Sequence, residues 1–217
     1  MKIINFSRAE LIEYTAGQIA AFFPDGKKAI VNDAIEQHID EALARLAICI
    51  NAVKTWEPDS FNYLHSSQYC TYLYFLANTI WRNSKEIDVP TRIFLLNKLL
   101  NGIDLFYEIE MPDIFFIGHS TGIVLAKAKY SNYFVIYQNS TVGKNHGIAP
   151  ELGEGVIMYP NSSIIGRSAV GDHSVIAQGV GVMNTPIPGD CMVFSDGSRE
   201  LVLKPLKRKL IEDFFRF

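Results

Sequence analysis

The first hundred residues place apolar and polar positions with the period of an α-helix. The clearest apolar face has spacings of three and four residues throughout, which is the spacing of one side of a helix. Its members are Val31, Ile35, Ile39, Ala42, Leu46, Cys49 and Val53. This pattern predicts one long helix that packs a single face against a core.

Start and stop signals predict three more helices in this half. Ser7 and Glu10 fit a capping box, and the run 24–26 (Pro-Asp-Gly) ends the helix that follows it. Another helix is predicted over about 66–83. The next begins near Pro90 and ends at Gly102, because proline favours a first turn and glycine a C-terminal cap. The short connections between these helices predict antiparallel packing.

After about residue 110 the period becomes six. One apolar set with this period is Leu152, Met158, Ile164, Val170, Ile176 and Val182. Two positions before its last five members stand small or β-branched residues, namely Val156, Ser162, Ser168, Ser174 and Val180. An earlier set keeps the period as Val124, Tyr130, Ile136 and Val142. Residues 143–151 do not fit and are predicted to form an extruded loop.

A period of six predicts a β-solenoid, in which each hexad forms one flat side and three hexads form a coil. Roughly ten hexads give about three to four coils, with the apolar residue of each pointing inward. A β-sandwich is the alternative. It would need turn signals every 8–12 residues and alternating polarity, and the sequence has neither.

The predicted fold class is therefore α+β. A helical domain spans 1–108, a parallel β-helix spans 109–204, and an amphipathic C-terminal helix spans 205–217. We expect the last helix to cap the solenoid, because an open coil end exposes unpaired strand edges.

Charge and composition narrow the function. Lys and Arg number 20 and Asp and Glu 23, so the net charge is −3 and a generally basic nucleic-acid binder is excluded. The first residues do not show the pattern of a targeting segment and no long apolar stretch occurs, so neither a targeting segment nor a membrane span is expected. Cys49, Cys70 and Cys191 lie far apart without C-x-x-C spacing. This favours inert, reduced thiols in a cytoplasmic protein over a disulfide frame or a metal site.

Two stretches of the solenoid half resemble serine acetyltransferases. Residues 102–104 (Gly-Ile-Asp) and 118–124 (Gly-His-Ser-Thr-Gly-Ile-Val) resemble that family's G-[IV]-D-I-H-P and D-H-x-T-G-[IV]-V motifs, with the same spacing from Asp to His. Residues 137–144 (Tyr-Gln-Asn-Ser-Thr-Val-Gly-Lys) resemble L-Q-x-V-T-L-G-G. The resemblance covers about 102–188 by motif. Over 1–100 it is mainly architectural.

The resemblance implies a left-handed β-helix and an acetyl-CoA-dependent O-acetyltransferase without a metal. It also implies a homotrimer with active sites between subunits, and a helical half that pairs two trimers. By this resemblance His119 is the general base and Asp104 orients it. A neutral imidazole can take the acceptor's hydroxyl proton, and a carboxylate on its other nitrogen fixes the tautomer. The alternative for His119 is an ordinary surface or core histidine.

The chain departs from the family where the acceptor binds. The family's Asp before the catalytic His is replaced by Gly118, and the loop's Arg-His pair by Ile148 and Ala149. His146, in the same loop, is the candidate substitute. Because a free amino acid carries two charges that a site must pair, these losses favour a neutral sugar hydroxyl as acceptor, in surface-polysaccharide biosynthesis.

Aromatic and neutral polar residues suited to a sugar stand at 61–69 (Phe-Asn-Tyr-Leu-His-Ser-Ser-Gln-Tyr). His65 and Gln68 are the candidate acceptor-binding residues of this run. The alternative is that both only cap the helix that follows.

Acetyl-CoA is expected to bind along the coil corners, as the resemblance implies. The matching corner residues are Gly143, Lys144, Tyr159, Pro160, Gln178 and Gly179. Candidate cations for its phosphates are Arg167, Lys204, Lys207 and Arg208. The alternative for the last cluster is a solvated helix face.

Two other functions stay open. One is a serine O-acetyltransferase of cysteine biosynthesis, although the family's C-terminal Ile, which docks into a sulfhydrylase, is here Phe217. The other is a non-catalytic assembly module, for which failure to bind acetyl-CoA would speak. A trimeric zinc enzyme is not predicted, because His119, His146 and His173 are widely spaced and contain no close pair.

Overall fold

The computed structural model describes residues 1–197 and 200–217. Within these residues the chain forms a bundle of α-helices followed by a parallel β-solenoid. The helices are α1 (Arg8–Phe22), α2 (Lys28–Ala52), α3 (Ser66–Ser84) and α4 (Asp88–Asn101). None of them, in the part of the chain described, is both long and apolar enough to cross a membrane.

The helical half follows its sequence pattern closely. All seven residues of the predicted long face are buried, six of them along α2 and Val53 just after it. The capping box forms, since the Ser7 hydroxyl accepts the Glu10 N–H and the Glu10 carboxylate accepts the Ser7 N–H. Helix α4 ends at Gly102, whose φ of 63° suits glycine. Helix α3 is buried from Ser67 to Ile80 and lies at the centre of the bundle.

Most strands belong to three faces of the solenoid, and β1 (Lys2–Ile3) pairs with β2 (Ser60–Phe61) beside the helices. The first sheet contains β3 (Asp104–Leu105), β5 (Val124–Leu125), β7 (Thr141–Gly143), β10 (Ser163–Ile165) and β13 (Gly181–Met183). The second contains β4 (Phe115–Ile117), β6 (Phe134–Ile136), β9 (Ile157–Met158), β12 (Val175–Ile176), β14 (Cys191–Ser195) and β15 (Leu201–Pro205). The third contains β8 (Glu151–Leu152) and β11 (Ala169–Val170).

Strand register confirms the six-residue repeat. Glu151 pairs with Ala169 and Ser163 with Gly181, so each of these coils holds three hexads. Successive coils stack their inward side chains, and all of these are buried in the first sheet. That stack is Leu105, Leu125, Val142, Ile164 and Val182. The predicted fold class, a helical domain followed by a parallel β-helix, is confirmed.

Two details of the solenoid differ from the predictions. Val124 was expected to point inward but is 45% exposed, and Leu125 takes its place. The coil that joins Val124 to its partner Thr141 is one residue shorter than three hexads, which shifts the register by one. The first coil strand also starts at Asp104, before the expected boundary at 109.

The C-terminal segment is not the helix predicted over 205–217. Strand β15 pairs antiparallel with β14 and covers the end of the second sheet. After it, only Leu210–Asp213 forms a helical turn, of the 3₁₀ type. The chain then returns to the helical half, where Phe215 is buried and forms a β-bridge with Val53. The β14–β15 hairpin, rather than a helix, therefore ends the solenoid.

Candidate active site

The chain runs through each coil from the first sheet to the third, then to the second, and back to the first. We call the turn from the second sheet to the first the His119 corner (118–123, 137–140, 159–162 and 177–180). We call the turn from the first sheet to the third the loop corner (144–150, 166–168 and 184–186). The predicted site residues divide between these two corners.

His119 opens into a cleft of about 400 Å³ between the helical half and the solenoid. The cleft is lined by Thr55, Trp56, His65, Ser66, Ser67, Phe116, Gly118, His119 and Tyr137. The His119 ring is exposed to the cleft and makes no hydrogen bond to any described residue. None of the described lining residues carries a carboxylate, an ammonium or a guanidinium group. The cleft thus combines two imidazoles, those of His119 and His65, with walls whose described residues carry no other ionisable group except the Tyr137 phenol.

Aromatic rings form much of these walls. Trp56 packs edge-on against His65 at 5.9 Å and against Phe116 at 5.6 Å between ring centroids. Tyr137 lies 6.4 Å from the His119 ring and stacks on Tyr159 of the next coil at 5.9 Å. Burial raises the pKa of Tyr137, so its hydroxyl stays protonated at neutral pH and can donate a hydrogen bond.

The structure leaves no room for a side chain at position 118. A Cβ atom on Gly118 would stand 2.4 Å from carbons of the Tyr137 ring, which is far inside van der Waals contact. Any side chain here therefore requires Tyr137 to move. The space beside the Gly118 backbone, next to His119, is filled by the Tyr137 ring.

Helix α3 begins at the edge of the cleft. Its N-cap residue, His65, makes no side-chain capping bond, so the helix presents free N–H groups and the positive end of its dipole there. The Ser67 hydroxyl donates to the Gly118 carbonyl at 3.3 Å and ties the helix to the His119 corner. The site is thus built jointly by the helical half and the solenoid.

Asp104 does not bond to His119 in the described chain. Its carboxylate instead accepts a hydrogen bond from the Lys98 ammonium at 2.6 Å. The backbone at Asp104 nevertheless lies beside the turn that follows His119, since the Asp104 N–H donates to the Ile123 carbonyl. Leu105 fills the inward position of β3, and Asp104 therefore faces out toward the end of α4, where Lys98 stands. In the single chain Asp104 therefore faces Lys98 and not His119, and its role as the group that orients His119 stays a prediction.

His65 and Gln68, the two acceptor-binding candidates of the run 61–69, lie in different surroundings. His65 lines the cleft with His119. Gln68 is 4% exposed and lies outside the lining, and its side-chain oxygen accepts the Asn62 N–H at 2.7 Å. Gln68 therefore holds the loop before α3 and does not line the cleft in the single chain, and its role in acceptor binding stays a prediction.

His146 lies at the loop corner, away from the His119 cleft. It lines a second cleft of about 400 Å³ with Asn145, Ile148, Arg167 and Asn184. A single chain therefore does not bring His146 to His119.

The residues expected to bind acetyl-CoA are also divided between the His119 corner and the loop corner. Tyr159, Pro160, Gln178 and Gly179 all stand on the His119 corner. The Pro160 carbonyl there accepts the Gly179 N–H from the next coil. Gly143 ends β7 and Lys144 begins the loop corner.

The remaining cations are scattered. Lys204 lies on β15 with its ammonium 5.1 Å from the centre of the Phe194 ring. Arg208 pairs through two bonds with Asp213, and Lys207 stands beside it, exposed. In the described part of the chain no three His, Cys, Asp or Glu side chains group to hold a metal ion.

Sequence reasoning missed the walls of the His119 cleft. Trp56, Ser67 and Phe116 come from three separate segments, and only the folded chain brings them together. One of these contacts could have been found in the sequence. Gly118 and Tyr137 occupy equivalent positions in successive coils, so the absence of a side chain at 118 indicates that the Tyr137 ring packs there.

A helical domain followed by a parallel β-helix of hexapeptide repeats is the fold class of this chain. The comparisons with known proteins point to serine acetyltransferases within it. A serine acetyltransferase of Synechococcus elongatus is 27% identical over 113 residues, which are 48% of this chain and 45% of the relative. The chain thus matches less than half the length of that curated relative. No family model matches the chain.

Solved structures show the same fold over nearly the whole chain. The serine acetyltransferase of Brucella abortus strain S19 superposes with a TM-score of 0.73 at 18% identity, covering 91% of this chain and 83% of that one. A serine acetyltransferase in complex with CoA gives a TM-score of 0.70 at 19% identity, covering 91% and 86%. The resemblance read from the motifs is therefore confirmed in sequence and in fold.

Proposed function

We propose that this protein is an O-acetyltransferase of the serine acetyltransferase type, which moves an acetyl group from acetyl-CoA to an acceptor hydroxyl. The observation that carries the proposal is His119, an unpartnered imidazole in a cleft between helical half and solenoid. It stands at the position where the sequence resembles the family's catalytic histidine. The donor is supported by the serine acetyltransferase of the same fold that was solved with CoA.

In the proposed reaction, neutral His119 accepts the proton of the acceptor hydroxyl as its oxygen attacks the thioester carbon. The tetrahedral intermediate then collapses, the carbon–sulfur bond breaks, and the leaving CoA thiolate takes the proton back from the imidazolium. Acetyl passes directly to the acceptor, without an acetyl-enzyme. The Tyr137 hydroxyl and the free N–H groups at the start of α3 are donors suited to hold oxygen atoms nearby.

The first acceptor to consider is L-serine, because the curated relative and the solved structures of this fold are serine acetyltransferases. None of the described residues that line the His119 cleft carries a charged group that would pair with the amino acid's carboxylate or ammonium. Such groups would have to come from elsewhere in the molecule or its assembly.

A neutral sugar hydroxyl is the second candidate, and a specific observation favours it. The described lining of the cleft is uncharged and rich in aromatic rings, which suits a polyhydroxyl acceptor better than a zwitterion. Under this reading the enzyme acts in surface-polysaccharide biosynthesis. A non-catalytic module is the remaining alternative, and a protein that fails to bind acetyl-CoA would support it.

We also propose that the protein is a homotrimer that works in the cytoplasm. Division of the candidate residues between two corners of one chain supports an assembly, since a neighbouring copy can bring the loop corner to the His119 cleft. The three described cysteines are all unpaired, which fits a reducing compartment.

Thiol release from acetyl-CoA tests the function, with L-serine, free sugars and nucleotide sugars as acceptors. The His119→Ala variant should lose turnover by about 10²–10⁴-fold and keep its affinity for acetyl-CoA, because only proton transfer is removed. His38→Ala, in α2, is the matched control and should keep full turnover. Near-normal turnover in His119→Ala would reject the mechanism. Release only with serine would settle the acceptor against the sugar.

The role of Asp104 is tested by comparing two variants of its ion pair. If Asp104 orients His119 in the assembled enzyme, Asp104→Asn should lower kcat about 10²-fold or more, while Lys98→Met changes it far less. Equal effects of the two variants would mean that Asp104 only pairs with Lys98.

A further inference from the structure

The cleft at the loop corner has the composition of an anion site. It is lined by Asn145, His146 and Ile148 of the extruded loop and by Arg167 and Asn184 of the two coils that follow. One guanidinium, one imidazole and two amides face the same space, and no described lining residue carries a carboxylate.

Among the described residues, Arg167 is the arginine whose guanidinium has no hydrogen-bond or ion-pair partner. In residues 1–197 and 200–217 every other arginine makes a hydrogen bond or an ion pair through its guanidinium group. These are Arg8, Arg45, Arg82, Arg92, Arg208 and Arg216. Arg167 is exposed, and its guanidinium has no such contact among the described residues. A free, planar guanidinium is the protein group best suited to grip a carboxylate or a phosphate through two bonds.

The loop holds its polar groups in place. Asn145 and Ile148 exchange two backbone hydrogen bonds of 2.9 and 3.0 Å, which close a two-residue turn. His146 and Gly147 form that turn, with φ of 48° and 79°. Their own N–H groups have no partner among the described residues, so the tip adds donors to the imidazole of His146.

The two amides are held by close packing at Gly166. A Cβ there would stand 2.2 Å from the Asn184 oxygen and 2.7 Å from the Asn145 Cβ, so glycine is required. The side-chain oxygen of Asn184 accepts a hydrogen bond from the backbone N–H of Arg167 at 2.9 Å. This bond orients the amide and leaves its NH₂ group free to donate.

We propose that the loop-corner cleft binds an oxyanion, with Arg167 as the residue that carries its recognition and with His146, Asn145 and Asn184 as additional donors. The ligand is a carboxylate or phosphate group of one of the two substrates, and in that respect the proposal rests on the proposed acetyl transfer. A carboxylate would belong to an amino-acid acceptor, and Arg167 would replace the cation that the loop lacks. A phosphate would belong to CoA.

The first test is independent of activity. Inorganic phosphate, compared with sodium chloride at equal ionic strength, should raise the thermal unfolding midpoint of the unmodified protein. Arg167→Gln should abolish this increase. Arg82→Gln removes the same charge from the far end of α3 and should keep it. Absence of a phosphate effect in the unmodified protein, or an equal effect in Arg167→Gln, would overturn the proposal.

The second test identifies which substrate supplies the anion. If the anion is the 3′-phosphate of CoA, Arg167→Gln should bind CoA about tenfold more weakly and 3′-dephospho-CoA as tightly as before. If the anion is the acceptor carboxylate, CoA affinity should stay unchanged, and KM for L-serine should rise about tenfold at constant kcat. If Arg167→Gln matches Arg82→Gln in all these measurements, the site binds neither the CoA 3′-phosphate nor the acceptor carboxylate. A protein without thiol release would refute the proposed function, while the phosphate test would still decide on the anion site.

Discussion

Gly118 shows how one position can change the chemistry that a site accepts. The resembling family places a carboxylate immediately before its catalytic histidine, and here the ring of Tyr137 fills that space. Because the two positions face each other across successive coils, a side chain at 118 requires the Tyr137 ring to move. The neutral character of the cleft is thus fixed by a pair of residues and not by one.

Gly118→Ala should lower the free energy of unfolding by about 1–3 kcal/mol, because its methyl group would overlap the Tyr137 ring. In the double variant with Tyr137→Ala the overlap is gone, so the two costs should be non-additive by about 1 kcal/mol or more. Chemical denaturation of the unmodified protein, the two single variants and the double variant measures these free energies of unfolding. Gly17→Ala in α1, where a Cβ meets no atom within 4 Å, should not destabilise. If the two changes in the free energy of unfolding simply add, the Tyr137 ring moves aside without cost and the prediction is wrong.

Cys49 and Cys70 make stability depend on pH in the alkaline range. Burial raises the pKa of each thiol to about 12, from an ordinary value of 9.0. Above pH 9 the unfolded chain releases these protons while the folded chain keeps them, so stability present below pH 9 is lost as the pH rises. Between pH 9 and pH 10 the two thiols together should cost about 2 kcal/mol.

Urea denaturation at pH 8, 9 and 10 measures this loss. A variant with both cysteines changed to alanine is less stable throughout because of the cavities, so the comparison concerns the change between pH values. That change should be much smaller in the variant. An equal change in both proteins would assign the alkaline loss to other groups.

At the scale of elements, the segment after β15 joins the solenoid to the helical half. The Arg216 guanidinium donates to the carbonyls of Asn51, Val53, Lys54 and Trp56, at 2.7 to 3.1 Å. Asn51 lies in the last turn of α2, where helix carbonyls have no partner within the helix, and the other three residues follow the helix. The Val53 carbonyl also accepts the Trp56 N–H. Phe214 of the same segment packs against Phe116 and Tyr137. The segment therefore holds both the end of α2 and the outer wall of the His119 cleft.

Arg216→Met should lower the free energy of unfolding by about 2 kcal/mol, because it removes charge-assisted hydrogen bonds to several carbonyls at once. It should also weaken thiol release, since Trp56 and Phe214 lose their anchor. Arg208→Met breaks an exposed pair with Asp213 and should leave the unfolding curve nearly unchanged. Similar destabilisation in both variants would deny the segment this role.

The sequence predicts the elements well wherever one local pattern determines them. The face of α2, the capping box at Ser7 and the inward stack of the solenoid depend on spacing alone. Counting by six fails at Val124, because one residue missing at a coil corner shifts the register without altering composition. It also fails after residue 204, where an amphipathic pattern is satisfied by aromatic docking and not by a helix.

The candidate site is less predictable, for a reason that is also physical. His119 was found from a motif, but its neighbours Trp56 and Ser67 come from the helical half by tertiary packing. The partner of Asp104 is Lys98 at the end of α4, which no motif indicates. Motifs locate reactive groups, whereas the walls and charges around them depend on contacts between distant segments.

At the scale of the whole molecule, the two clefts stand on different corners of one solenoid. His119 with its neutral walls lies on one, and His146 with Arg167 lies on the other. In a three-fold assembly each interface is heterologous, so the His119 corner of one copy can meet the loop corner of the next. The proposed trimer would then complete each site with residues from two copies.

This arrangement predicts complementation between two inactive variants. His119→Ala lacks the base and His146→Ala lacks the loop donor, so each homotrimer should be impaired. When both chains are co-expressed, a site is intact if an unmodified His119 from one copy meets an unmodified His146 from the next. Random mixing in a cyclic trimer makes about a quarter of the sites intact. Thiol release by the mixed protein should recover to about that fraction, whereas mixing the separately purified trimers without subunit exchange should restore nothing. Recovery near zero after co-expression would place both residues of each site in the same copy, or remove His146 from the reaction.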